Sequence, residues 1–144
     1  MGNVETPETK ALSRAHAGLF QRLREVDETA RPTSAAGPAQ VFLLLRELNA
    51  ELTEHFRVEQ QSGYTDALLE QQPRLEHAIA RLREEHRELA QSLEALITQA
   101  AAAISLDGGL RERIRDWVKR VRQHEIREND LVQDAFNVDI GAED

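Results

Sequence analysis

The chain has 144 residues, a formal net charge of -8 and no cysteine. Its length suits a single domain with a substantial core, and its acidic balance argues against nucleic acid or anionic membrane surfaces as partners. The lack of cysteine excludes disulfides, thiolate nucleophiles and zinc–thiolate sites, so any metal ion must be held by histidine and carboxylate side chains.

Helix-forming Leu, Ala, Glu, Arg and Gln dominate the sequence, which predicts an all-α fold. Breaker-rich stretches divide it, namely "RPTSAAGP" at 31–38, "QSGYTD" at 61–66 and "SLDGGL" at 105–110. Their spacing predicts one domain over 1–144, an up-down-up-down four-helix bundle. We expect helices over about 9–30, 39–61, 73–104 and 110–136 and a flexible acidic tail over 137–144. "TDALLEQQ", just before Pro73, is a candidate for a short separate helical turn.

Core-facing positions of a bundle helix recur at spacings of three and four residues. On the last predicted helix this stripe contains both apolar and polar residues: Leu110, Ile114, Trp117, Val121, His124 and Glu128. The second helix repeats the pattern with Val41, Leu45, Leu48, Leu52, His55 and Glu59. The first and third helices place His16 and His86 on their stripes, whereas His77 falls on the solvent side. Measured from the connecting loops, the four stripe histidines lie at similar heights, so they are predicted to meet in one layer.

Burying unpaired carboxylates costs several kcal/mol, so this polar layer needs compensation. One interpretation is a metal-free core of hydrogen-bonded histidines and glutamates. The other is a metal site, since imidazole and carboxylate without sulfur suit iron, manganese or zinc. Six ligands suit two ions about 3.5 to 4 Å apart. This predicts His16 and His55 on one ion and His86 and His124 on the other, bridged by Glu59 and Glu128. Iron is the favoured metal, with zinc and manganese as alternatives.

Four segments carry a family resemblance: His16, "HFRVE" at 55–59, "EEH" at 84–86 and "HEIRE" at 124–128. Over residues 11–135 the pattern H…HxxxE…H…HxxxE resembles the hemerythrin-like (HHE cation-binding) domain family. The resemblance implies a four-helix bundle with a non-haem di-iron centre, held by carboxylate and oxo or hydroxo bridges, that binds O₂ or related small ligands.

The chain also departs from the respiratory members of that family. They carry a second histidine on the third helix, four residues from the first, where this chain has Leu82 and Ala90. Their acid on the last helix is an aspartate at a longer spacing, and here it is Glu128. The missing histidine leaves one ion open to water, peroxide or nitric oxide and argues against simple reversible O₂ carriage. Tyr64 is a candidate additional ligand, with a packing or turn role as the alternative.

We therefore expect a cytoplasmic protein that binds O₂, NO or peroxide at this site, for sensing, binding or detoxification. The alternatives are a di-iron enzyme with peroxidase or catalase-like, NO-reducing or ferroxidase activity, and a purely structural polar core or store of adventitious zinc. Three glutamates adjoin stripe histidines, and most of them are expected to face solvent or a flanking helix, with tuning of the metal site as the alternative: Glu54, Glu85 and Glu125. Three aromatic residues are expected to pack around the site: Phe20, Phe56 and Trp117.

Overall fold

The computed structural model describes the backbone of residues 7–61 and 64–143 and the side chains of residues 16–61, 66, 67 and 69–134. Within these residues every regular element is helical, which confirms the all-α prediction. The α-helices are α1 (Pro7–Thr29), α2 (Pro38–Gln61), α3 (Tyr64–Gln71), α4 (Glu76–Ala102) and α5 (Gly108–Glu143), and a 3₁₀ turn (Pro73–Leu75) links α3 to α4.

The element boundaries differ most from the predicted ones at two places. The stretch before Pro73 forms the separate helix α3, and Pro73 opens the 3₁₀ turn rather than the long helix. Proline is favoured at such a first position because its missing N–H would be unpaired there anyway. At the other end, α5 runs to Glu143, so 137–143 continue the helix that was predicted to end at 136. No proline or glycine lies between 110 and 140 to interrupt it.

The four long helices enclose the core. The helix α1 packs against α2 and α5, and α4 packs against the same two helices, so each long helix has two long neighbours. The short α3 lies against α2 and α5. The predicted stripes are the buried faces of these helices, as on α2, where Val41, Leu45, Leu48 and Leu52 are buried.

Side chains near the α1–α2 and α4–α5 connections hold the start of α5 in place. The carboxylate of Asp107 accepts a hydrogen bond from the backbone N–H of Leu110 at 2.8 Å, which caps the helix. The guanidinium of Arg111 donates to the carbonyl oxygens of Arg31 at 2.7 Å and Ser34 at 3.3 Å. Arg111 therefore ties the α1–α2 connection to α5.

Two apolar clusters divide the interior along the helices. The larger one includes α5 positions from Leu110 to Val121, and the smaller one contains Leu75 and Ile79 with Leu131 packed against them. On α5 the residues between the clusters are those of the "HEIRE" segment at 124–128. The polar layer is thus flanked by apolar packing on both sides, and charges there interact more strongly than they would in water. No helix in the described part of the chain combines the length and apolar character needed to cross a membrane.

Candidate metal centre

The four long helices bring together all six residues that were predicted to form the site, and a seventh joins them. Two groups of side chains can each converge on one point, with their ligand atoms within 4.8 Å of one another. Group 1 consists of His16, His55, Glu59, Glu125 and Glu128, and group 2 of His86, His124 and Glu128. Most of these side chains are fully buried, but those of His16 and His86 are 24% and 14% exposed. The cluster therefore approaches solvent at two histidines.

Group 1 is the denser of the two. The Nε2 atom of His55 lies 2.7 Å from Oε1 of Glu59 and 3.0 Å from Oε1 of Glu125. The Nε2 atom of His16 lies 3.0 Å from Oε2 of Glu125 and 3.5 Å from Oε1 of Glu128. Three carboxylates thus surround two imidazoles contributed by α1 and α2.

Group 2 shares Glu128 with group 1, and Glu59 of group 1 lies close to it. The Nε2 atom of His86 lies 3.3 Å from Oε2 of Glu128 and 3.4 Å from Oε2 of Glu59. The Nε2 atom of His124 lies 3.7 Å from Oε2 of Glu128. Since Oε1 of both glutamates points to the group 1 histidines, each of these carboxylates presents one oxygen to each group. The histidines divide into the same two pairs that the sequence predicted.

Several of these nitrogens and oxygens lie close together without forming hydrogen bonds. Their separations fall in the hydrogen-bond range, but the donor and acceptor directions are not aligned. A buried polar atom that lacks a partner costs about 1–3 kcal/mol, and a cation at the common point would satisfy several at once. Among the side chains that the structure describes, the buried atoms without a hydrogen-bond partner include Nε2 of His16, His55 and His124, both carboxylate oxygens of Glu125, and Oε1 of Glu128. This donor set fits cations held by imidazole and carboxylate.

The pKa values reflect the crowding of charge in group 1. Burial lowers the pKa of His16 and of His55, but attraction to nearby carboxylates outweighs it and raises these pKa values to about 9 and about 10. Burial, together with the neighbouring Glu128, raises the pKa of Glu59 to about 9 despite the contact with His55. Burial also opposes ionisation of Glu128, but its contacts with histidines hold its pKa far below the usual value. At neutral pH, group 1 therefore carries protons on groups that must lose them to bind a metal ion.

Cation binding is accordingly expected to release protons and to strengthen as the pH rises. Three groups have pKa values near 9 or 10, so they are protonated at pH 7 and compete with the cation: His16, His55 and Glu59. Calorimetric titration with Zn²⁺ at pH 7, in two buffers of different ionisation enthalpy, should show release of up to three protons, and the affinity should increase from pH 6 to pH 9. An affinity that does not change over that range would contradict this prediction.

A carboxylate outside the two groups orients His124. The Nδ1 atom of His124 lies 2.8 Å from Oε1 of Glu85, and the guanidinium of Arg127 donates to Oε2 of Glu85 at 2.7 Å. Burial raises the pKa of Glu85, but these two contacts outweigh it and lower that pKa, so the side chain is a carboxylate. A carboxylate that accepts the second ring N–H of a histidine fixes its tautomer and leaves Nε2 free to bind a metal.

Replacement of Glu85 by glutamine should therefore weaken cation binding at group 2 about 10- to 100-fold, the usual cost of losing such an outer partner. Equilibrium dialysis against Co²⁺ or Zn²⁺ would measure it. The matched control is Glu84→Gln, because Glu84 is exposed and contacts Arg87 on the surface. Equal affinities for the two variants would show that Glu85 does not support the site.

The other predicted neighbours have different roles. The ring of Phe56 stacks on His86 with centroids 3.8 Å apart, so it packs against the site as expected. Phe20 is 40% exposed, with its ring centroid 6.2 Å from that of His16. Trp117 belongs to the larger apolar cluster and donates from Nε1 to the carbonyl of Leu89 at 3.0 Å.

Three further sequence predictions concern residues around the layer. His77 is exposed, as its position between the stripes predicted. Glu54 is also exposed and pairs with Arg57 on the surface. The side chain of Tyr64, the candidate additional ligand, lies outside the residues that the structure describes.

The sequence analysis did not include Glu125 among the predicted ligands. Most of the glutamates beside stripe histidines were expected to face solvent or a flanking helix, yet Glu125 is 2% exposed and belongs to group 1. The helix α5 contacts both α1 and α4, so its buried arc is wider than one stripe. A signal for this was present in Val118, one heptad before Glu125, which is fully buried beside Trp117.

These observations place the chain in the class of helical proteins that have a histidine–carboxylate cation site in the core. The family model described as the hemerythrin HHE cation binding domain matches residues 8–136. The chain therefore belongs to the hemerythrin HHE cation-binding domain family, in agreement with the resemblance of its motifs. Comparison with curated proteins and with solved structures gave no significant match.

Proposed function

We propose that this chain is a non-haem di-iron protein that binds O₂, NO or peroxide at the His/Glu cluster in its core. The observation that carries the proposal is the pair of overlapping ligand groups, in which Glu59 and Glu128 each present one oxygen to either side. Two carboxylates placed in this way can bridge two cations about 3.5 to 4 Å apart.

The order of layers along the helices supports an up-down-up-down bundle around this centre. On α1 and α4 the site histidine precedes the residues of the larger apolar cluster, whereas on α2 and α5 it follows them. Successive long helices therefore run in opposite directions through the polar layer. All four contribute at least one ligand, so the site depends on assembly of the whole bundle.

The donor chemistry supports iron, with zinc and manganese as alternatives. The two groups offer only imidazole and carboxylate, the ligands common to these three metals. An iron pair, when bound, supplies redox chemistry with O₂, NO or peroxide. The protein residues hold the ions in place, orient the ligating histidines and exclude bulk water from the layer.

Access to the cluster favours small ligands. The exposed edges of His16 and His86 are the points at which the layer approaches solvent, since the other side chains of the groups are buried. A cavity of about 150 Å³ also reaches His124 and is lined by Glu85 and Leu89. We propose a diatomic molecule or peroxide as the partner and the cytoplasm as the location.

An enzyme is the second candidate function, and the short donor list of group 2 favours it. His86, His124 and Glu128 provide only three ligands that converge there, with the second oxygen of Glu59 near His86. An ion so held retains open positions at which peroxide can be disproportionated, NO reduced or ferrous iron oxidised.

Elemental analysis and visible absorption of protein purified without an affinity tag test the proposal. We expect about two iron ions per chain and absorption bands typical of a bridged ferric pair. Fewer than one metal per chain would instead favour a structural polar core, and two zinc or manganese ions would replace iron in the proposal.

Stopped-flow mixing of the reduced protein with O₂, NO or hydrogen peroxide then separates binding from turnover. A spectral change that reverses on degassing indicates binding. Consumption of many equivalents of peroxide or NO per chain indicates an enzyme. A reduced iron protein that reacts with none of the three would refute both candidates.

A further inference from the structure

The two HxxxE segments differ at the residue that follows their histidine. In α2 this residue is Phe56 after His55, and in α5 it is Glu125 after His124. Successive helix positions point about 100° apart, and positions four apart differ by about 40°. In each segment the glutamate of HxxxE therefore lies between the histidine on one side and the following residue on the other.

In each segment the histidine therefore faces one ligand group, and the residue that follows it faces the other. On α5, His124 belongs to group 2, while Glu125 turns to group 1, where its two oxygens each lie 3.0 Å from a histidine nitrogen. On α2 the arrangement is reversed. His55 belongs to group 1, and Phe56 turns to group 2, where it stacks on His86.

The outcome is a third carboxylate on one side of the centre and an aromatic ring on the other. Glu125 is 2% exposed, and neither of its oxygens has a hydrogen-bond partner among the described side chains. A buried carboxylate needs a compensating positive charge. Without metal the nearby histidines supply it, and a metal ion would supply it when it displaces their protons. The ring of Phe56 provides no donor to the opposite group.

We propose that Glu125 is a direct ligand of the cation in group 1, and that the Glu125/Phe56 difference makes the two cation sites unequal. Group 1 then has His16, His55 and Glu125 besides the two shared carboxylates, and it fills first. Group 2 has two histidines and Glu128, with the second oxygen of Glu59 near His86, and it binds its cation more weakly. The inference rests on the proposed two-cation function.

Titration of metal-free protein with Co²⁺, followed by calorimetry and visible absorption, tests the inference. Wild-type protein should bind two ions in two steps that differ at least about tenfold in affinity. Glu125→Gln, which has the same shape but lacks the charge, should weaken the tight step at least about tenfold and leave the weaker step within a few-fold. Equal steps in the wild type, or an unchanged tight step in Glu125→Gln, would overturn the inference.

Two further variants sharpen the result. Glu125→Asp keeps the charge but shortens the side chain by one methylene, so loss of the tight step in this variant also indicates coordination. Glu84→Gln removes an exposed carboxylate from α4 and should leave both steps unchanged.

The same titration separates this inference from the proposed function. If wild-type protein binds no Co²⁺, the two-cation site itself fails, and the inference fails with it. If it binds two ions with equal affinity, only the inference fails. Far-UV circular dichroism of each variant establishes that the helices are intact before the affinities are compared.

Discussion

Replacement of Glu128 by alanine is expected to abolish loading of both cations. Glu128 belongs to both ligand groups, and its oxygens lie within 3.9 Å of a histidine nitrogen from each of the four long helices: His16, His55, His86 and His124. The change removes one donor from each group. Loss of an outer partner already costs 10- to 100-fold in metal affinity, so loss of a shared direct ligand should cost at least about 100-fold. Elemental analysis after dialysis should find well below one metal ion per chain.

The matched control is Asp130→Ala, which removes an exposed carboxylate two residues further along the same helix. This variant should retain the full metal content, and so should His77→Ala, which removes the exposed histidine of α4. Wild-type metal content in Glu128→Ala would show that the cations bind elsewhere on the molecule.

Removal of the metal is expected to lower the melting temperature by about 10 °C or more. A ligand that binds only the folded state at 100 times its Kd adds about 2.7 kcal/mol to the free energy of unfolding for each site. In chains of about 150 residues the melting temperature rises by roughly 2–4 °C per kcal/mol. Thermal unfolding of the chelator-treated and the reloaded protein, followed by circular dichroism, would measure the difference.

The metal-free protein should nevertheless keep its helices at room temperature. The larger apolar cluster contains buried residues from all four long helices and includes none of the proposed ligands. Its burial does not depend on a cation, in contrast to small domains that fold only when metal binds. Glu128→Ala should unfold at the same temperature with and without added cation. A rise in its melting temperature comparable to that of the wild type would contradict the assigned site.

In the polar layer, the residues that would bind cations lower the stability of the fold. Buried carboxylates such as Glu125 and Glu128 lie beside partly protonated histidines between two apolar clusters, where hydrophobic residues would pack at lower cost. Residues retained at a cost to stability are common at functional sites. The loss of stability is confined to one layer, to which all four long helices contribute. The larger apolar cluster stabilises the rest of the bundle.

Helix geometry explains how much of the site was predictable. A residue on a buried stripe faces the same side of the helix as the residues three and four positions away. His55 and Glu59 were therefore predicted to be buried together with Leu48 and Leu52, as they are. The same argument placed His124 and Glu128 inside and His77 outside.

Features that depend on neighbouring helices were not predictable in this way. Glu85 was one of three glutamates beside stripe histidines, and only the approach of α5 made it the partner of His124 rather than a solvated side chain. Glu54 occupies an equivalent place in the sequence but faces solvent and pairs with Arg57. The boundary between α3 and α4 likewise depended on where the 3₁₀ turn at Pro73 packs.

Residue spacing alone was sufficient to predict an all-helical chain with six polar residues on its buried stripes, because spacings of three and four fix which side chains share one face of a helix. The packing of the helices set which oxygen of Glu59 and Glu128 faces which group, and it brought Glu125 into group 1. The physical reason is that adjacent helix positions point about 100° apart. Whether the residue that follows a stripe histidine is buried therefore depends on the helices packed on either side. The pattern of a single stripe does not specify this.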